Sequence, residues 1–285
     1  MSITKKIDFA LLIKAKNCNP NGDPLDGNRP RITYDGKGEI SDVALKRKIR
    51  DRLQERGEKI FVQSNEKRDD DHKSLKSRFD ELKISKKDKK DKKDKIDNAL
   101  QKSKACERWY DVRAFGQVFA FGGSDDKESV SIAVRGPVSI HPAFSTEEVV
   151  VFSQQITKST NADGDADKKK SPDTMGMKHR IDGEYYYLSY GSINYQLSTK
   201  TGFNDQDTAT LKAVLQSLFE NDASSARPEG SMEVHKLIWW EHNSPHGQYS
   251  SAKVHRSLKI KENGDVEFDK LEGLKAEILE ESPLR

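Results

Sequence analysis

Side chains able to do chemistry crowd one stretch near the N-terminus, Asn17 to Arg50, which reads NCNPNGDPLDGNRPRITYDGKGEISDVALKRKIR. Its first half is a loop of Asn, Gly, Pro and Asp, residue types that favour turns and leave backbone N–H groups exposed. Its second half carries five basic residues in seven positions: Lys46, Arg47, Lys48, Arg50 and Arg52. Free N–H donors followed by a cationic helix make a surface for polyanions, because both attract phosphate oxygens. An ordinary amphipathic helix with a solvated face is the plainer reading of the same cations. The acids have plain roles too: Asp42 falls where a helix cap belongs, and Asp23, just before Pro24, suits an Asx-turn.

Other constellations are weaker. His235, His242, His246 and His255 suggest a metal site, but HNSPHG (242–247) contains Pro245 and reads as loop. His242 and His246 therefore do not share a helical face, and HExxH is absent. The patterns GxGxxG and the P-loop are absent as well, so neither a metal nor a nucleotide cofactor is expected. Cys18 and Cys106 are the only cysteines and form no CxxC pair. The opening MSITKKIDFALLIKAK has an apolar run too short for a signal peptide and ends in lysines. No run approaches a membrane span. A reduced, cytoplasmic protein is the expectation.

The chain has 285 residues, enough for one large domain or one core with sizeable insertions. Hydrophobic content of 33% against 34% charged, with a mean hydropathy of −0.88, predicts that part of the chain lies outside any compact core. Net charge is only +3, so the distribution matters more than the total: Lys and Arg cluster before residue 105.

The elements that position these residues follow from periodicity. Ile7 to Lys16 is a short apolar run and predicts a largely buried strand. From Val43 the spacing turns helical, with Leu45, Ile49 and Leu53 as the buried stripe and Gly57 as the stop. Lys46 and Arg50 lie beside that stripe, and Arg47 across from it. A small hairpin is expected around Tyr34 to Gly38. Between Ser85 and Lys95 the chain carries seven lysines and three aspartates, a solvated insertion or a basic arm that touches nucleic acid. Asp111 to Phe121 reads as β-rich, with Gly116 at a bulge or close backbone approach. Val130 to Ile140, interrupted at Gly136-Pro137, and Val149 to Ile156 read as further strands. A long polar loop then returns through Met175 and Met177. Glu184 to Leu197, with five tyrosines (Tyr185, Tyr186, Tyr187, Tyr190, Tyr195), is a strong strand. A helix from Thr208 to Asn221 is capped by Asp205 or Asp207. Met232 to Glu241 is a buried strand, and Ala252 to Ile260 and Asp265 to Phe268 are peripheral strands. The order strand, helix, strands, helix, strand predicts an α+β fold. It is compatible with a βαββαβ, ferredoxin-like sheet, the plan of RNA-recognition modules.

NPNGDPLDGNRPRI followed by DVALKRKIRD resembles the backbone subunit (CRISPR-associated family seven) of type I CRISPR surveillance complexes, especially the type I-C form. RAFGQVFA (113–120), GPVSIHPAF (136–144), QQITKS (154–159), DTMGMKHRI (173–181), YGSINYQL (190–197) and SARPEG (225–230) extend the resemblance over most of the chain. The lysine-aspartate run fits no family pattern and reads as a variable insertion. The resemblance implies a hand-shaped protein. Its palm, of modified RNA-recognition fold, takes 1–56, 109–154 and 183–285; a helical, basic finger insertion takes 57–108; a thumb hairpin takes 155–182. Copies stack along the spacer of a guide RNA (crRNA), and each thumb flips out a nucleotide in its neighbour's RNA path. The guide is thereby presented to target DNA in antiviral defence. Implied partners are the crRNA, target DNA through it, other copies of the chain, and the large, small and crRNA 5′-end-capping subunits of the Cascade complex, with no membrane.

A subunit that must hold any spacer should grip sugar and phosphate and leave base edges free. With the resemblance, that assigns RNA contacts to Asn19, Asn21, Arg29 and Arg31 of the loop, and to Lys46, Arg47 and Arg50 of the helix. Arg113 and Gln117 of the RAFGQ motif and Lys158, Lys178, His179 and Arg180 of the thumb join them. Met175 and Met177 are candidates for apolar wedges between bases, against the plainer role of hairpin packing. Type I backbones are not nucleases, so no catalytic activity is implied. The related type III backbones cleave RNA with a loop aspartate, which leaves as alternative a metal-dependent ribonuclease using Asp23 or Asp26. A generic single-stranded nucleic-acid binder is a third reading.

Overall fold

A computed structural model of the chain describes residues 2–82, 98–121, 130–157 and 174–280. After β1 (Ile7–Lys16) come two short paired strands, β2 (Gly22–Asp23) and β3 (Arg29–Pro30), then β4 (Lys37–Ile40) and α1 (Asp42–Glu55). Helices α2 (Leu75–Asp80), α3 (Asn98–Arg108) and α4 (Tyr110–Phe115) lead into the hairpin β5 (Gly116–Phe121) and β6 (Val130–Arg135). Strands β7 (Val138–Ile140) and β8 (Ala143–Glu148) precede a second hairpin, β9 (Val151–Thr157) and β10 (Thr174–Ile181), and then β11 (Glu184–Ile193). The rest is α5 (Tyr195–Thr201), α6 (Asp205–Gln216), β12 (Met232–Glu241), α7 (Ser251–Arg256), β13 (Leu258–Ile260), β14 (Val266–Phe268) and β15 (Ala276–Leu279). The lysine-aspartate run at 85–95 and the loop at 158–173 lie outside the described residues.

One large antiparallel sheet organises the chain, in the order β15-β12-β1-β11-β8-β4 with β7 also on β11. β1 runs through its middle. Ile7, Phe9, Leu11, Ile13 and Ala15 face a core shared with Leu45, Ile49 and Leu53 of α1 and Leu211, Val214 and Leu215 of α6. The intervening Ala10 and Leu12 face the other side, against Ile238, Trp240, Val254, Leu258 and Leu274. The unbroken apolar run of β1 is thus explained by burial on both faces. Gly191 of β11 lies beside Phe9, where a Cβ would come 2.1 Å from Cζ of the ring.

A second core gathers Phe61, Phe79, Cys106, Trp109, Val112, Phe119, Ile132 and Val134. Its rings pack at 4.5 to 5.1 Å: Phe61 on Trp109 and Phe119, and Phe79 on Phe119. Several local expectations change here. Tyr110 to Phe115 is a helix rather than a strand, because the Asp111 carboxylate accepts the N–H groups of Phe61 (2.7 Å) and Val62 (3.1 Å) and anchors that turn. The close approach at Gly116 is present: its φ is +82°, and a Cβ would lie 2.4 Å from the Val134 carbonyl. Val130 to Ile140 divides at Gly136-Pro137 into β6 and β7.

Other boundaries shift for capping reasons. The tyrosine strand ends at Ile193, since Asn194 accepts the N–H of Leu197 (3.0 Å) and starts α5, which takes Tyr195. Asn204, rather than Asp205 or Asp207, caps α6, and Asp207 returns a bond to the Asn204 N–H (3.0 Å) in a capping box. Ser251 to Arg256 is a helix, capped by Ser250, and only Leu258 to Ile260 pairs as a strand there. No helix among the described residues is long and apolar enough to cross a membrane.

Candidate nucleic-acid interface

The N-terminal loop is tied down at three places. Cys18 carbonyl accepts the Ile181 N–H (2.8 Å), and Asn17 exchanges two bonds with Gly183 (2.9 Å each), fixing the loop to the base of the β9–β10 hairpin. The Asn19 N–H donates to the Ala226 carbonyl (2.9 Å), fixing it to the segment between α6 and β12. Asn21 Oδ1 accepts the Ser41 N–H (2.9 Å), fixing it to the start of α1. Asn17 and Asn28 have positive φ (49° and 63°), which Asn tolerates better than most residues. Asn19 Nδ2 donates to the Asn28 carbonyl (2.7 Å) from a buried side chain. Asn19 and Asn21 therefore build the loop rather than present open donors, a correction to the sequence reading. Arg29 and Arg31 stay partly exposed, paired to Asp26 (3.8 Å) and Asp23 (3.4 Å).

Along α1 every cation of the cluster meets a carboxylate. Lys46 pairs with Asp42 (2.9 Å), and Arg47 with Asp51 while also donating to the Val62 carbonyl (2.9 Å). Lys48 pairs with Asp222, Arg50 with Asp111 (2.9 Å), and Arg52 with Glu55 and Glu220. Arg50 is only 12% exposed and its guanidinium lies over Phe115. Lys46 and Arg47 keep a solvent-facing side, so the helix offers two partly free cations rather than three. Arg113 is likewise internal: it makes a bidentate pair with Asp207 (2.8 and 3.1 Å) above the ring of Tyr110. Burial works against the charge of Arg113, but Asp207 more than offsets it and raises the guanidinium above its ordinary value. Gln117, half-buried on β5, donates to the Val118 carbonyl.

The β9–β10 hairpin has the opposite character. Lys178 is exposed; Arg180 lies over the Phe152 ring (5.2 Å) near Asp182; His179 Nδ1 meets Ser153 Oγ at 2.8 Å. Val150, Phe152, Ile156 and Met177 are all exposed, Met177 at 53%. That exposure sets aside hairpin packing as the role of Met177. The Met175 side chain and Lys158 lie outside the described residues.

A family model described as CRISPR-associated protein Cas7 matches residues 5–278. The chain belongs to the Cas7 family. A curated relative, the CRISPR-associated protein Cas7 of Haloferax volcanii, is 36% identical over 164 residues, covering 52% of this chain and 45% of that protein. The chain thus matches somewhat under half the length of this relative. Among solved structures, a chain of a CRISPR RNA-guided surveillance complex in a pre-nicking state aligns with a TM-score of 0.48 at 18% identity, covering 82% of this chain and 75% of that one. A second such complex gives 0.44 at 17% identity, covering 82% and 68%.

Two further features of this Cas7 chain were hidden in sequence. A groove of about 430 Å³ opens between the N-terminal loop, α1 and the segment after α6, lined by Asn21, Arg47, Lys48, Lys67, Asp222 and Arg227 among others. SARPEG marked Arg227 as a family residue without giving it a place. The histidines, in turn, clamp the sheet. Fully buried Asp8 accepts from His242 Nε2 (2.8 Å) and Lys6 Nζ (3.0 Å), with His255 Nε2 at 3.8 Å. Burial pushes the Asp8 carboxyl up, yet the bonds from His242, Ser251 and Lys6 outweigh it and hold it below its ordinary range. Burial pulls His255 down, against Asp8, and its ring stacks on Tyr190 at 4.6 Å. Among the described residues no group of three His, Cys, Asp or Glu side chains is placed to hold a metal ion.

Proposed function

We propose that this Cas7 chain is a crRNA-binding backbone subunit of a type I Cascade complex, of the type I-C form. It polymerises along the spacer and presents it to target DNA, without catalysing cleavage. The match to the family over residues 5–278 carries the reading. The palm is read as ferredoxin-like: taking β1, α1, β8, β11, α6 and β12 as its βαββαβ core, the sheet order is fourth, first, third, second strand, all antiparallel. The finger is read as beginning near residue 57 and, since the second core reaches Val134, as extending past the 108 set from sequence. The thumb is the β9–β10 hairpin, whose exposed Met177, Phe152 and Lys178 suit a segment that enters a neighbour's RNA path. The other copies, the large, small and 5′-end-capping subunits, and target DNA through the crRNA remain its proposed partners.

The face of the sheet that RNA-recognition modules use for base stacking is covered here by α7, β13 and β14, with His255 on Tyr190. RNA is therefore assigned to the loop, α1 and hairpin side. The ribonuclease alternative loses support, because Asp23 is spent on the Leu25 N–H (3.1 Å) and Arg31. The deciding experiment is light scattering with absorbance at two wavelengths on the purified protein. A large particle rich in nucleic acid that shrinks on ribonuclease treatment is the expected result. A monomer that stays monomeric with added guide RNA would overturn it, and RNA cleavage lost in Asp23→Ala or Asp26→Ala would install the alternative.

A further inference from the structure

The groove between the N-terminal loop, α1 and the segment after α6 is lined by cations from three different parts of the chain: Arg47 and Lys48 of α1, Lys67, and Arg227. One carboxylate holds two of them. Asp222 accepts from Lys48 Nζ and, at 3.2 Å, from Arg227 Nε. Asn221, just before it, has a φ of +56°, so the chain makes a tight left-handed turn at the residue that delivers this carboxylate. Arg227 also reaches the Asn19 carbonyl (3.5 Å), which joins the cluster to the N-terminal loop.

The ion pair is a poor candidate for a purely stabilising contact. Lys48 is buried, and a buried ammonium needs an anionic partner at all times, whatever its origin. Arg227 is only partly buried, and Asp222 stands on a surface segment beside open groove. Arg47, on the same wall, has a buried Nε with no acceptor, a spare donor. A tetrahedral phosphate offers more oxygens than a carboxylate and satisfies several donors at once. Asp51 and Glu66 also border the groove, and Asp51 is already held by Arg47.

We propose that this groove is a phosphate subsite for the RNA backbone, and that Asp222 occupies the phosphate's place in the free protein until a phosphodiester displaces it from Lys48 and Arg227. The proposal rests on the RNA-binding reading above and adds a built-in competitor to it. Such a competitor raises the threshold for loose, non-specific polyanions while leaving a correctly seated RNA strand able to exchange one anion for another.

The test is fluorescence anisotropy of the full chain, stripped of copurifying nucleic acid, with a fluorescein-labelled single-stranded RNA over a series of salt concentrations. Asp222→Asn should bind several-fold tighter and steepen the log–log salt slope by about 0.7, one added phosphate contact on a single strand. Arg227→Gln should weaken binding and flatten the slope by about the same amount. Equal or weaker binding by Asp222→Asn with an unchanged melting transition overturns the proposal. Should Asp222→Asn fail to fold, Arg227→Gln decides, and an unchanged slope there overturns it. Wild-type protein that binds no RNA at any salt sinks the RNA reading itself, whereas RNA binding indifferent to both variants removes only the subsite.

Discussion

Arg113 and Lys178 show how differently two basic residues from family motifs are used. Arg113 is locked to Asp207, which also closes the capping box of α6. Asp207→Ala should cost about 3–5 kcal/mol in urea unfolding, because it strands a largely buried guanidinium and removes a cap. Lys178→Gln should leave stability within about 0.5 kcal/mol and weaken RNA binding in anisotropy. His255 sets the pH dependence. Its folded value lies below the ordinary 6.5, so the unfolded chain takes the proton first. Its contribution is therefore intact above about pH 6.5 and is lost as pH falls from there toward the folded value. Asp8 has a lowered value too, but its contribution is lost only below its ordinary 3.8, far from this window. Melting temperatures should fall between pH 7.5 and 5.5, and His255→Gln should flatten that limb; a wild-type profile that stays level would remove His255 as the cause.

At the scale of elements, α1 divides its labour along its length. Lys46 and Arg47 pair only with acids of their own helix, Asp42 and Asp51, and keep solvent on one side. Arg50 and Arg52 reach acids of other elements, Asp111 and Glu220, and hold α1 in place. Lys46→Gln with Arg47→Gln should lower RNA affinity across all sequences and flatten its salt dependence while the fold melts normally. Arg50→Gln should instead destabilise by roughly 2–4 kcal/mol, since Asp111 is buried and also serves Phe61 and Val62. The β9–β10 hairpin contributes little to either core, so Phe152→Ser with Met177→Ser should leave melting unchanged. The nuclease footprint of bound guide RNA should lose its regular spacing, and an undisturbed footprint would remove the thumb assignment.

For the molecule as a whole, the C-terminal segment matters as much as the motifs. It seals one face of the sheet with Val254, Leu258 and Leu274, and the Asp8–His242 contact fastens it to β1. The opposite face carries α1 and α6, so the groove, the loop and the hairpin base are the polar places left on that side. The three ties of the N-terminal loop bring these regions together, although residues 17–31, 178–183 and 221–227 are far apart in sequence.

Local order determined a good deal in advance. The apolar run of β1, the four-residue spacing of Leu45, Ile49 and Leu53, and the motif NPNGDPLDGNRPRI each state their element or family within a few residues. Periodicity and turn chemistry act over short distances, so one stretch of chain contains the whole signal. The hairpin Met177 could likewise be singled out, because a methionine beside glycine in a polar return is locally unusual. Partner choice was another matter. Whether Arg47, Arg50 or Arg113 faces RNA or an acid depends on which carboxylate lies opposite, and Asp111, Asp207 and Asp222 arrive from 61, 94 and 174 residues away. Charge is visible in sequence but its neutralisation is a through-space fact, and only the packed sheet decided which cations remain for a ligand.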